Sequence, residues 1–117
     1  MGENEKKVGW LHERVTTPPF SAVARKRVGE WIRQLQKGNM LSLPRSRPMP
    51  EVGPRCHELR LNDSGHSWRI VYRIDPAHVV VVAVFAKTTR ETPEHVKASC
   101  RARLRAYDKE LRGEPHG

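Results

Sequence analysis

The sequence predicts a small α+β domain, a twisted and mainly antiparallel sheet of about four strands accompanied by two helices. Three features carry that expectation. Residues 56–62 (CHELRLN) and 68–74 (WRIVYRI) alternate apolar and polar side chains on either side of the turn-forming segment NDSGH. Residues 78–87 (HVVVVAVFAK) form a nearly continuous valine-rich run, as in a strand covered on both faces. Two other segments repeat apolar residues at three- and four-residue spacing, the signature of amphipathic helices.

Taken in order, the chain first offers a short strand within VGWLHERV, residues 8–15, where Val8, Trp10 and Val15 are interleaved with polar side chains before TTPP ends the run. Thr17 is held out of helical geometry by Pro18. Ala24, Val28, Trp31, Ile32 and Leu35 then define one helical stripe, with Ser21 as its N-cap, Gly38 as its stop and Arg25, Lys26, Arg27, Arg33 and Lys37 around it. LPRSRPMPEVGP, residues 43–54, reads as a stiff irregular loop around the outside of the core. The three long strands follow, the second ended by Asp75 and Pro76. A last helix runs from Glu94 to about Leu111, with Thr92 as N-cap, Pro93 at the first helical position and Val96, Cys100, Leu104, Tyr107 and Leu111 as its apolar stripe.

Nothing divides the 117 residues, so one domain is expected over 1–117 with frayed ends at about 1–7 and 112–117. Lys and Arg number 22 against 13 Asp and Glu, a formal charge of +9 that calls for a polyanionic or acidic partner. The longest apolar run, Val79 to Ala86, is far too short to span a bilayer as a helix, and MGENEKK has no apolar segment behind it. A cytoplasmic protein is expected. Cys56 and Cys100 show no metal-binding spacing, and reduced thiols fit that compartment, a bond between them being the alternative.

The strand pattern raises a question of charge. Period-2 geometry puts Glu58 with Arg60, and Arg69 with Arg73, on the faces opposite the apolar residues, so a hairpin with one core face collects all four on the other. Like charges on paired strands repel. Carboxylates such as Glu58 and Asp75, or a bound anion, must offset them, and guanidinium groups suit phosphate oxygens because they donate two parallel hydrogen bonds. A plain solvated sheet face is the other reading. Lys87, at the end of the valine-rich strand, can reach across the same surface. Trp10, Trp31 and Trp68 occupy apolar-face positions and are expected in the core, although each offers a ring for stacking on a base.

The ordered set PMPEVGPRCHELRL, WRIVYRID and VFAKTTRETP, with TPPFSAVAR upstream and RARLRAYD downstream, resembles the phage-derived branch of the RelE/HigB/ParE toxin superfamily over roughly residues 8–108. The resemblance implies a RelE-like fold with the helices packed on one side of the sheet. It further implies the toxin of a type II toxin–antitoxin system, an mRNA endoribonuclease that inhibits translation in the ribosomal A site without metal or other cofactor. The implied partners are mRNA, the ribosome and a cognate antitoxin of helix-turn-helix type.

Carried over by residue, the resemblance makes Arg60 of ELR, Arg69 of WRI and Lys87 of FAK the catalytic cations. Thr88 stands where many relatives have a second Lys, no Tyr follows Lys87, and His95 is a candidate substitute. The chemistry is attack of the ribose 2′-hydroxyl on the adjacent phosphorus, with Arg and Lys stabilising the developing charge. Glu58 is a candidate base and equally a cross-strand partner for Arg60 or Arg69; Lys87 or His95 is the candidate acid. Arg73, Arg90 and Lys97 are expected to contact RNA. The competing expectation is a non-catalytic protein of the same fold, such as a ParE-like topoisomerase poison or a nucleic-acid-binding regulator.

Overall fold

A computed structural model of the chain describes residues 5–11 and 20–113; the Val15, Thr17 and Pro18 readings fall outside them. Five strands and two helices follow in the order β1 (Lys7–Trp10), α1 (Ala22–Gln36), β2 (Ser46–Pro48), β3 (Cys56–Asp63), β4 (His66–Ile74), β5 (His78–Ala86) and α2 (Glu94–Leu111). The sheet order is β1-β5-β4-β3-β2. It is mixed rather than wholly antiparallel, because β1 runs parallel to β5 while every other pair is antiparallel.

The β3–β4 hairpin turns through Ser64 and Gly65, both at positive φ (50° and 81°), between the paired residues Asp63 and His66. Two such residues make the tight turn whose twist matches the strands. Asp63 also fastens this turn to α1, accepting from the Ser21 N–H at 2.8 Å and from Ser21 Oγ at 2.7 Å. Ser21 in turn caps the helix, its Oγ accepting from the Ala24 N–H at 3.1 Å. At the far end Gly38 takes a φ of 93°, left-handed geometry that costs glycine no side-chain clash, and stops the helix as its position suggests.

The helices lie on opposite faces of the sheet, which corrects the expectation that both pack on one side. On one face Ala24, Val28, Ile32 and Leu35 of α1 meet Leu59, Leu61, Ile70, Tyr72, Val79 and Val81. On the other, Cys100 and Leu104 of α2 meet Val71, Val80, Val82, Ala83 and Cys56. The valine-rich β5 is what two covers require, with Val79–Ala83 all buried. Val82 is the extra residue of a bulge, since Val71 pairs with Ala83 and Tyr72 with Val81, and its carbonyl accepts from Arg103 Nη1 of α2 at 2.8 Å.

Three further expectations are corrected. The proline-rich segment is not only an outer loop: Ser46–Pro48 pairs with β3 as an edge strand, where a proline is tolerated, and Met49 and Val52 are buried. Trp10 is 56 % exposed and Leu111 61 % exposed, so neither is core. The α2 N-cap is Pro93 rather than Thr92, and no side chain caps that end. At the chain start the structure begins earlier than expected, with Lys7 already in β1 and the Lys6 N–H donating to the Gln36 carbonyl at 2.8 Å. Cys56 and Cys100 are free and buried, and burial pushes the Cys100 thiol up to about 11. No helix among the described residues is long and apolar enough to cross a membrane.

Candidate functional site

The face of β3 and β4 that carries charge is the face α2 covers, so it is not an open basic surface. Val71, between Arg69 and Arg73 on that face, is fully buried against α2 and separates two charge clusters.

The first cluster centres on Arg73, 7 % exposed, whose guanidinium donates to both oxygens of Asp75 (2.7 and 2.8 Å) and both of Asp108 in α2 (3.0 and 2.7 Å). It also lies over the Tyr107 ring at 5.8 Å. These bonds raise the Arg73 pKa still further and hold the Asp108 carboxyl below its usual range. This arginine, expected to contact RNA, is held by two carboxylates and fastens α2 to the sheet.

The second cluster surrounds Glu58, which is 0 % exposed. Its Oε1 lies 3.3 Å from Arg47 Nε and 3.7 Å from Arg69 Nε, and its Oε2 accepts from Thr92 Oγ1 at 2.7 Å. The carboxylate is enclosed by its partners and ties β2, β3, β4 and the start of α2 together. Arg69, 7 % exposed, donates from Nη1 to the Trp68 carbonyl at 2.9 Å, while its buried Nε has no hydrogen-bond partner among the described residues, 3.7 Å being too long for one. Burial lowers the Arg69 pKa, with Glu58 opposing and Arg60 and Arg47 adding to the shift.

Arg60 is exposed and is the register partner of Arg69. Its N–H donates to the Arg45 carbonyl at 2.8 Å, pointing away from β4, so the Arg60–Arg69 pair is of the non-hydrogen-bonded kind in which side chains stand closest. Lys87, half-buried just past β5, is fixed by its N–H donating to the Ser67 carbonyl at 2.7 Å. Burial lowers its pKa; Glu58 opposes that shift, and Arg69, Arg47 and Arg60 reinforce it. Glu58 thus acts on both Arg69 and Lys87, and Arg60 adds positive charge beside the same two cations.

The remaining candidates are dispersed. His95 is exposed in the first turn of α2 and Arg90 in the loop before it. Lys97 pairs with Glu51 at 3.9 Å, a long contact to the proline-rich segment. Sequence reasoning missed Arg47 and the role of Thr92. A loop reading of residues 43–54 hid the strand that brings Arg47 to Glu58, and a Thr-Pro pair before a helix reads first as a cap.

Residues 19–105, most of the chain, match the family model described as Phage derived protein Gp49-like (DUF891). No curated protein matches the chain.

Proposed function

The chain belongs to the Gp49-like phage-derived family, a toxin–antitoxin-related family, and from that premise we propose that it is a toxin of the RelE/HigB type, an mRNA endoribonuclease that works on the ribosome and is held by a cognate antitoxin. The observation that carries the reading is the Arg60–Arg69 pair facing across β3 and β4 with Lys87 beside it. Cations placed side by side repel unless an anion joins them, and a phosphodiester in its transition state is the anion whose charge grows as the reaction proceeds.

In this reading the 2′-oxygen attacks phosphorus in line and the bond to the 5′-oxygen breaks, leaving a 2′,3′-cyclic phosphate and a 5′-hydroxyl. Arg60, exposed, meets the non-bridging oxygens, and Arg69 adds its charge from behind. Lys87 gives a proton to the departing 5′-oxygen; burial favours its neutral form and so makes the ammonium a better acid. Glu58 positions Arg69 and Arg47 rather than acting as base, since both its oxygens are occupied. The 2′ proton passes to water, since Glu58 is occupied and His95, the other candidate acid, stands exposed in the first turn of α2 among the dispersed residues. Arg transfers protons poorly. Orientation of the message by the ribosome supplies what the isolated cluster lacks.

The burial of Arg69 favours a second reading, a non-catalytic protein of the same fold that poisons its target by binding, because few of the strand cations then reach solvent. Controlled expression separates the two. Wild type arrests translation and yields cut transcripts, whereas Arg60→Ala with Lys87→Ala, purified folded, is tolerated. DNA-damage signalling with intact transcripts overturns the nuclease reading.

A further inference from the structure

A cleft of about 310 Å³ opens at the edge of the sheet, next to the cationic cluster. Arg27 and Trp31 of α1 form one wall, Pro44 and Arg45 of the segment entering β2 another, and Arg60 and Arg69 connect it to the cluster. The cleft exists because β2 pairs with β3 only over Ser46–Pro48 and leaves the later part of β3 uncovered.

Two properties distinguish it from an ordinary solvated face. First, its lining holds four arginines and no carboxylate, and among the described residues Arg27, Arg45 and Arg60 have no acidic side chain in ion-pair range. Three guanidinium groups around a concave surface without counter-charge of their own favour an anion between them. Second, Trp31 is partly buried against the α1 core and also lines the cleft, so an aromatic ring stands beside the arginines. An aromatic face beside phosphate-binding donors is how single-stranded nucleic acid is gripped without regard to sequence. The volume is in the range of small-ligand sites.

The geometry points to a subsite for single-stranded RNA in this cleft, with one base stacked on Trp31 and the flanking phosphates on Arg27 and Arg45, delivering the strand to Arg60. The inference rests on the reading of the cluster as an RNA-cleaving site, and it adds where the message lies on the way in. An RNA strand suits the cleft better than an acidic peptide, because a peptide carboxylate gives Trp31 no flat partner.

The test uses the full chain and a short 2′-O-methyl oligoribonucleotide of mixed sequence, which binds but cannot be cut. By fluorescence anisotropy, Arg27→Ala with Arg45→Ala weakens binding by about tenfold or more and flattens the salt dependence by about 1.4 in log–log slope, roughly 0.7 for each phosphate lost. Trp31→Leu weakens binding about tenfold with the salt slope unchanged, and Trp31→Phe, which keeps a ring in the core, loses less and serves if the Leu variant fails to fold. Folded variants that bind as wild type overturn the subsite. So does unchanged oligonucleotide binding with loss of antitoxin capture, which makes the cleft a protein-docking surface. Because the probe is inert, oligonucleotide binding that depends on these residues upholds the subsite even if no transcript is ever cut. Cleavage that survives their replacement undiminished refutes the subsite and leaves the nuclease standing.

Discussion

Thr92 Oγ1 donates a 2.7 Å hydrogen bond to Glu58 Oε2, and both side chains are buried. The hydroxyl that would cap α2 is used across space instead, fastening the helix start to β3 beside the cationic cluster. Thr92→Val keeps the shape and removes the donor, leaving one oxygen of a buried carboxylate unsatisfied. The expected loss is about 1–3 kcal/mol, measured by urea denaturation. An unchanged midpoint means that Thr92 is not a support of Glu58.

Glu58 itself is the anion among Arg47, Arg69 and Lys87. Glu58→Gln preserves volume but leaves the Arg69 guanidinium buried without its charge partner, at a cost on the order of 3 kcal/mol. Adding Arg69→Met recovers part of that stability. On the proposed nuclease reading, in which Glu58 organises the cations and does not exchange the proton, the Glu58→Gln protein keeps RNA cleavage within about tenfold of wild type below its melting range. A loss of about 10²-fold or more, in the range of general-base removal, makes it the base.

On the proposed reading, Arg60 sets stability against activity. It is exposed, carries no ion pair among the described residues and stands opposite Arg69, so Arg60→Ala relieves repulsion. Stability is unchanged or rises by up to about 1 kcal/mol, while cleavage falls by about 10²–10³-fold if the side chain stabilises transition-state charge. Thermal denaturation and ribosome-dependent cleavage on one preparation decide it; a less stable Arg60→Ala protein contradicts the repulsion.

Alternation along β3 and β4 was enough to place Glu58, Arg60, Arg69 and Arg73 on one face, and the caps of α1 were legible at Ser21 and Gly38. What covers that face was not. The resemblance put both helices on one side, although the unbroken run Val79–Ala83 already required a cover on each, and Val71 between two arginines marks where α2 sits. Arg47 was invisible because a three-residue edge strand containing Pro48 has no period of its own and exists only by pairing with β3. Trp10 read as core because the residue type outweighed its place on an edge strand.

Asp108 makes the α2 anchor sensitive to acid. Its carboxyl is held below the ordinary value of 3.8, first by its hydrogen bonds to Arg73. A folded pKa below the unfolded one gives stability that is complete above the unfolded value and is lost as pH falls through the folded value. Asp108 is partly exposed, so solvent screens the pair and its contribution is about 1 kcal/mol or less. Asp108→Asn is less stable than wild type at neutral pH, and the two converge as pH drops below about 4. A constant gap across that range shows that Asp108 contributes no ionisation-linked stability.

Lys87 sets the alkaline side of the reaction if it is the acid. Burial lowers its pKa from the ordinary 10.5, Glu58 opposes the shift, and Arg69, Arg47 and Arg60 deepen it. The protonated form is the one that works, so single-turnover cleavage declines as pH rises through the Lys87 value, earlier than an unperturbed lysine allows. Glu58→Gln removes the one opposing charge and moves that decline to lower pH. Lys87→Arg keeps the charge, moves the decline out of the accessible range and slows cleavage throughout, because a guanidinium gives up its proton poorly. A pH–rate profile whose alkaline limb stays in place in both variants assigns that limb to another group and removes Lys87 from proton transfer.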